Sequence, residues 1–307
     1  MALPGFGRPP AYYFIWILPR NSFNRLCGLF ADARLPRFLL TLLIRLFSWK
    51  YGVNLNEASK QVSEYRNFNE FFTRKLLPDA RTLDPDKEAV LSPVDGILGE
   101  SGIINNEVLI QAKGLEYRLA DLLKDSEKSK IYDGGVFITI YLAPYNYHRI
   151  HSMVSGEVRE FCYIPGDLWT VSPLGVHHVP ELFARNERLI TYFETDKGEC
   201  ALVKIGATVV GRIRVVYNDI TSNRSGGAFQ KNVLESPVWV ERGDEVGLFE
   251  LGSTVICLFP PGQIELNELK IDQNILLGQA IGKFSRIDKD NVKNKLDPPV
   301  LRKSYDT

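Results

Sequence analysis

Between residues 136 and 259 the chain is a succession of short apolar runs, each closed by a turn signal, and this spacing restricts the fold more than any other feature. The runs cover 136–142, 157–164, 189–194, 201–205, 208–217, 238–241, 246–249 and 255–259. Between them stand Asp133-Gly134-Gly135, Pro165-Gly166-Asp167, Asp196-Lys197-Gly198, Arg242-Gly243-Asp244 and Pro260-Pro261-Gly262. So many strands, with so little helix between them, predict a mainly antiparallel β core rather than a doubly wound parallel sheet. Helical periodicity is confined to the N-terminal region, and the expected class is therefore α+β.

That region is also where the charge is uneven. Lys+Arg and Asp+Glu both total 37, a balance that argues against a nucleic-acid-binding surface. The first fifty residues nevertheless hold seven bases (Arg8, Arg20, Arg25, Arg34, Arg37, Arg45, Lys50) against one acid, Asp32, leaving 30 bases and 36 acids for the rest. Two apolar blocks, 12–18 and 38–47, lie within it. A spanning helix needs about 20 apolar residues, so neither block crosses a bilayer, and no small-residue cleavage site suggests a secretory signal. Leu39, Leu42, Leu43, Leu46 and Phe47 recur at helical spacing, with Arg37 and Arg45 at the border and Trp49 at the end. Such a helix can lie in the interface of an anionic membrane or pack on the body.

At 307 residues and 45% apolar composition the chain is long enough for about two domains and too apolar for intrinsic disorder. We expect a basic amphipathic helical region at 1–65, a β-rich catalytic domain at 66–284 and a polar tail at 285–307. The four cysteines, Cys27, Cys162, Cys200 and Cys257, form no CxxC pair and suggest a reducing compartment rather than a zinc knuckle or disulfide framework.

Candidate chemistry is sparse. Two of the four histidines stand together in Tyr147-His148-Arg149-Ile150-His151, a spacing that could bind metal given a third ligand. His177-His178 falls in a proline-flanked loop and reads as surface. Asp95, in Ser92-Pro93-Val94-Asp95-Gly96, and Ser253, after Gly252, each sit where a turn residue would be unremarkable. Jointly, an Asp, a His and a Ser at turns of a β body are the parts of a nucleophile-activating triad. Ser253 lacks the G-x-S-x-G elbow of an α/β-hydrolase. A glycine directly before it suits a serine that attacks its own chain, because Gly252 leaves its carbonyl open to the hydroxyl and an N→O acyl shift would give an ester.

These residues, with Phe68-Asn69-Glu70-Phe71-Phe72, Tyr163-Ile164-Pro165-Gly166-Asp167-Leu168, Leu182-Phe183-Ala184-Arg185-Asn186-Glu187-Arg188 and Leu251-Gly252-Ser253-Thr254, resemble bacterial phosphatidylserine decarboxylase, a pyruvoyl-dependent enzyme made as a proenzyme. The resemblance runs in order from the basic start to about Gly282. It implies self-cleavage between Gly252 and Ser253, with His151 taking the hydroxyl proton and Asp95 holding the imidazole. Ser253 would become an N-terminal pyruvoyl group on a 253–307 fragment associated with fragment 1–252. That group would form a Schiff base with the lipid's amine and receive the electrons left by loss of CO₂, with His148 serving this later stage. The implied partner is phosphatidylserine in an anionic membrane, at the cytoplasmic side of a bacterial cell membrane, with a homo-oligomer possible and neither metal nor nucleic acid required. A serine hydrolase using Ser253, His151 and Asp95 without self-cleavage, a biotinyl- or lipoyl-like β module, and a metal site at His148 and His151 are the competing readings.

Overall fold

The computed structural model describes Tyr13 and residues 20–208, 212–223, 227–250 and 253–285. Three helices come first: α1 (Arg20–Asp32), α2 (Arg37–Tyr51) and the short α3 (Phe68–Phe72). Strands β1 (Ala89–Leu91), β2 (Gly96–Ile103), β3 (Val108–Ala112) and β4 (Leu115–Arg118) follow, then α4 (Leu119–Leu123) and α5 (Ser126–Tyr132). Next are β5 (Val136–Leu142), β6 (Arg149–His151), β7 (Gly156–Ile164), α6 (Pro173–Val176), α7 (Leu182–Arg185), β8 (Arg188–Thr195) and β9 (Gly198–Ile205). The described chain ends with β10 (Arg212–Val215), β11 (Gln230–Val240), β12 (Glu245–Glu250), β13 (Ser253–Phe259), β14 (Ile264–Leu266), β15 (Asn274–Ile275) and β16 (Ala280–Phe284). This is the expected α+β class.

Eight strands form one antiparallel sheet in the order β11-β7-β8-β9-β13-β5-β2-β15. The sequences of β5 and β13 are apolar at nearly every position because both faces of this sheet are covered. On one face Ile138, Ile140, Leu142, Val255 and Cys257 join a core with Phe249 and Ile281 from the small sheets β10-β12-β6 and β1-β16-β14. On the other, Phe137, Ile256 and Leu258 pack with Leu119 and Leu122 of α4 and Phe183 of α7. Strand β13 lies at the centre, paired with β5 along all seven residues and with β9 from Thr254 to Leu258.

Two expected strands change length. The run expected at 238–241 is the end of β11, which begins at Gln230; Pro237 stands where the register shifts between Val233 and Val238, on an edge strand where a missing donor is tolerated. The run expected at 208–217 contributes β10 alone, and residues 209–211 lie outside the described residues.

Helix α2 divides the stripe read from its sequence. Leu40 and Ile44 are buried against Phe71, and the Phe47 ring meets those of Phe68, Phe71 and Phe72 at 5.1, 6.2 and 6.1 Å. Leu39, Leu42 and Leu46 face outward with Phe38 and Trp49, the last 83% exposed. Packing on the body thus accounts for only part of the stripe: Leu43 and Phe47 turn inward, and the other three do not. In α1, Asp32 receives Arg212 at 2.6 Å and the Asn69 amide at 2.8 Å, while Leu26, Leu29 and Phe30 are exposed. No helix of the described residues is long and apolar enough to cross a membrane. Of the apolar block at 12–18 only Tyr13 is described, and of the tail at 285–307 only Ser285.

Candidate active site

Strand pairing brings three of the sequence-selected positions to one end of the sheet. Ile97 pairs with Tyr141 and Ser253 with Leu142, so Asp95 and Ser253 lie at the same end of β2 and β13, on either side of β5. Gly96 permits this closeness, since a Cβ there would stand 2.6 Å from the Tyr141 carbonyl oxygen. The chain leaving β5 then returns through His148 to β6, where the His151 amide donates to the Pro93 carbonyl at 2.8 Å.

Ser253 is fully buried, and its Oγ has no hydrogen-bond partner among the described residues. It lines a cavity of about 730 Å³ whose walls come from α1 and α2 (Leu26, Phe30, Phe47), α3 (Phe72) and β5 (Tyr141, Leu142). The cavity is therefore largely apolar. A reactive hydroxyl here would work in a site with little water, where any charge it develops is felt strongly.

His148 is also fully buried, its ring stacked on Phe72 with centroids 4.1 Å apart, and Phe72 is itself a cavity wall. Neither ring nitrogen makes a hydrogen bond of good geometry among the described residues. Burial, assisted by the nearby Arg74 guanidinium, pushes this imidazole down to about 3; the Ala143 and Pro144 carbonyls offset only part of that. His148 is thus neutral.

The triad expected from sequence is not hydrogen-bonded as a triad. The His151 imidazole is held by the Gly243 carbonyl, 2.6 Å from Nδ1, and by the Tyr147 hydroxyl, 3.1 Å from Nε2. A carbonyl only accepts, so Nδ1 carries the hydrogen and Nε2 keeps its lone pair, to which Tyr147 donates. Gly243 has φ of +88°, in the left-handed region. Burial lowers the His151 imidazole, against the raising influence of the Gly243 carbonyl, Glu245 and Asp95. The Asp95 carboxylate instead accepts from Arg81 Nε at 2.8 Å and from the Leu277 amide at 2.9 Å, and Arg81 also reaches Glu57 at 2.9 Å. Asp95 therefore acts on His151 through its charge. Three N–H donors, Arg81 Nε and Nη2 and the Leu277 amide, already occupy that carboxylate.

Sequence reading did not single out Arg81 as the partner of Asp95, and no local pattern marks it. Tyr147 could have been found: its place four residues before His151 was in view, and only its role was unseen. Among the described residues no group of three His, Cys, Asp or Glu side chains could hold a metal, so His148 and His151 gain no third ligand there. His177 and His178 are half-buried at the end of α6, with His178 Nδ1 on the Leu174 carbonyl at 2.9 Å. The four cysteines are unpaired.

Residues 68–283 match the family model described as phosphatidylserine decarboxylase. The chain belongs to the phosphatidylserine decarboxylase family. It is 42% identical over 269 residues to the phosphatidylserine decarboxylase proenzyme of Anaeromyxobacter sp. (strain K), covering 87% of this chain and 95% of the relative. It is 41% identical over 267 residues to the proenzyme so named from Brevibacillus brevis, covering 86% and 94%. With the proenzyme of Nitrosospira multiformis it shares 43% over 260 residues, covering 82% and 88%. The part matched to the decarboxylase family model starts at α3 and includes Asp95, His148, His151 and Ser253.

A pyruvoyl group built from Ser253 suits what surrounds that residue. The side chain lines the cavity, its Oγ is buried without a partner, and the seven residues from Ser253 onward are held in the sheet by ladder bonds. Gly252 lies outside the described residues.

Proposed function

We propose that this protein cleaves itself between Gly252 and Ser253 and then decarboxylates phosphatidylserine to phosphatidylethanolamine and CO₂. The observation that carries this is Ser253 at the head of the central strand, in the wall of a large apolar cavity and with its buried Oγ unpartnered among the described residues, in a chain of this family. A hydroxyl so placed is held for a reaction rather than for stability, because a buried hydroxyl without a partner costs roughly 1–3 kcal/mol.

In the first stage the Ser253 hydroxyl would attack the Gly252 carbonyl carbon and the Gly252–Ser253 C–N bond would break, leaving an ester and a free Ser253 amine; β-elimination would release the Gly252 carboxylate and leave dehydroalanine, whose hydrolysis would give ammonia and the pyruvoyl group. His151, with its lone pair on Nε2, would accept the hydroxyl proton, and Tyr147 is the hydroxyl already bonded to that nitrogen. Asp95, fixed by Arg81, favours the charged imidazole from a distance. Fragment 253–307 would stay with fragment 1–252, since β13 is paired on both sides by strands of the larger one.

In the second stage the pyruvoyl carbonyl supplies the electron sink that no ordinary side chain offers to the carbanion left by loss of CO₂. His148 would move a proton at this stage; its ring nitrogens make no hydrogen bond of good geometry among the described residues, and its ring stacks on Phe72, a wall of the cavity. The apolar walls exclude water and accept lipid chains. Region 1–65 would bring the protein to the bilayer as a peripheral helical unit: the outer faces of α1 and α2 carry Leu29, Phe38, Leu42, Leu46 and Trp49, and both helices also wall the cavity. The bilayer is taken to be the bacterial cell membrane, approached from its cytoplasmic side.

Intact mass measurement of the denatured protein, beside Ser253→Ala, tests the reading. Two species meeting between Gly252 and Ser253, the smaller beginning in a pyruvoyl group, are expected from the wild type and absent from the variant. A single uncut chain from protein that turns over phosphatidylserine would overturn it in favour of a serine hydrolase.

A further inference from the structure

On the side of α3 away from the large cavity lies a second, polar one. Its volume is about 330 Å³, room for about ten water molecules, and Arg74, Lys75, Lys60, Arg149, Tyr65 and Glu70 contribute to its lining. Phe68 and Phe72 of α3 face the apolar cavity, while Glu70 and the following Thr73 and Arg74 face this one.

Arg74 is the unusual member. It is 4% exposed and binds the Tyr145 and Asn146 carbonyls through Nη2 alone, at 3.1 and 3.3 Å. Its Nε and Nη1 are buried and find no partner among the described residues. A guanidinium presents its donors in a planar fork that suits an oxyanion, and a buried one with two nitrogens unused is rare in a folded chain. No carboxylate serves it: Asp95 and Glu57 are both taken by Arg81. Glu70 is held by Lys60 at 2.8 Å and by Arg66 at 3.1 Å.

The other cations do not compete for a shared acid either. Arg149 is bonded to Glu245 at 2.6 Å and to the Thr73 carbonyl at 2.9 Å, and Lys75 makes no ion pair among the described residues. The lining thus carries four basic groups and one acid, with the least exposed base the least satisfied.

We propose that this pocket is an anion site, separate from the reaction cavity, that takes a phosphate or phosphomonoester through Arg74 with Lys75 at its mouth. The dianion would draw the buried Nε and Nη1 donors of Arg74 to the cavity wall and would also receive the Lys75 ammonium. Arg74 also lies near the His148 imidazole, so a bound anion would offset a charge that now opposes protonation of that ring. The site does not depend on the decarboxylase reading, since binding can be measured without turnover.

The test is calorimetric titration of the purified full-length protein with inorganic phosphate at matched ionic strength, and separately with monomeric dihexanoyl phosphatidic acid. Saturable one-to-one binding is expected, weakened about tenfold or more by Lys75→Glu and abolished by Arg74→Met. Near-ultraviolet circular dichroism checks that Arg74→Met remains folded; if it does not, Lys75→Glu alone decides, because that side chain is at the surface. Binding of phosphate itself identifies a free anion as sufficient, whereas binding of the lipid alone identifies a headgroup. No saturable binding of either up to about 10 mM, or binding untouched by Lys75→Glu, would overturn the proposal.

Discussion

Lys204→Met should stabilise the protein, and by an amount that depends on pH. Lys204 lies on β9 beside Val255 of β13, fully buried, with the Thr191 hydroxyl as its main partner and no carboxylate among its hydrogen-bond acceptors. Burial alone pushes its ammonium down from the ordinary 10.5 to about 7. The unfolded chain therefore binds a proton that the folded one releases between about pH 7 and 10.5, so this residue's penalty is full below that window and vanishes above it. At about 1.4 kcal/mol per pH unit, the penalty is about 4 kcal/mol at pH 7 and about 2 kcal/mol at pH 9. Methionine has a similar length and no charge, and Thr191 keeps its bond to Tyr217. The Tyr217 phenol is itself raised by burial and does not titrate in this range. Urea unfolding of Lys204→Met against its parent, both in the Ser253→Ala background so that each remains one chain, measures the difference directly. The advantage of methionine should shrink by about 2 kcal/mol from pH 7 to pH 9. An advantage that stays constant across that range would show that Lys204 is charged in the folded protein and would refute the reasoning.

Two further outcomes follow from the site and the helices. His151→Ala should leave a single uncut chain on denaturing mass measurement, whereas His148→Ala should still cleave yet form phosphatidylethanolamine at least 100-fold more slowly, about the lower end of what one proton-transfer group contributes. Leu42→Glu combined with Trp49→Glu should weaken sedimentation with anionic vesicles by about tenfold or more, given about 1.5–3 kcal/mol for each large apolar side chain removed from a membrane contact, while turnover of a short-chain soluble substrate is retained.

Much of the β core was legible because its evidence is local. β5, β7, β8, β9, β12 and β13 each announce themselves by a run of apolar, often β-branched residues between turn residues, and those boundaries hold to within three residues. β2 and β16 escaped because Gly96-Ile97-Leu98-Gly99-Glu100-Ser101-Gly102 and Ala280-Ile281-Gly282-Lys283 are rich in glycine and polar residues; their place is set by pairing with β5 and with β1 and β14, which no window of sequence contains. In α2 the period was legible and the direction was not. A helix with apolar residues around most of its girth has a face for the body at Leu40 and Ile44 and another for its surroundings at Leu42 and Leu46, and periodicity alone cannot rank them.

The site shows the same division one level down. Asp95, His148, His151 and Ser253 could be selected by type and by their position at turns, and strand pairing brings the ends that carry them together. What each side chain bonds to depended on groups remote in sequence. Arg81 occupies Asp95, so the carboxylate that sequence logic assigns to an imidazole is already ion-paired, and the backbone of Gly243, 92 residues away, orients His151 instead. A carbonyl fixes the tautomer as well as a carboxylate would but adds no negative charge next to the ring. Burial lowers the His151 imidazole, and the charge of Asp95 reaches it only from farther off. If His151 takes a proton once in the proposed self-cleavage, before a mature site exists, orientation without a permanent charge is the arrangement to expect.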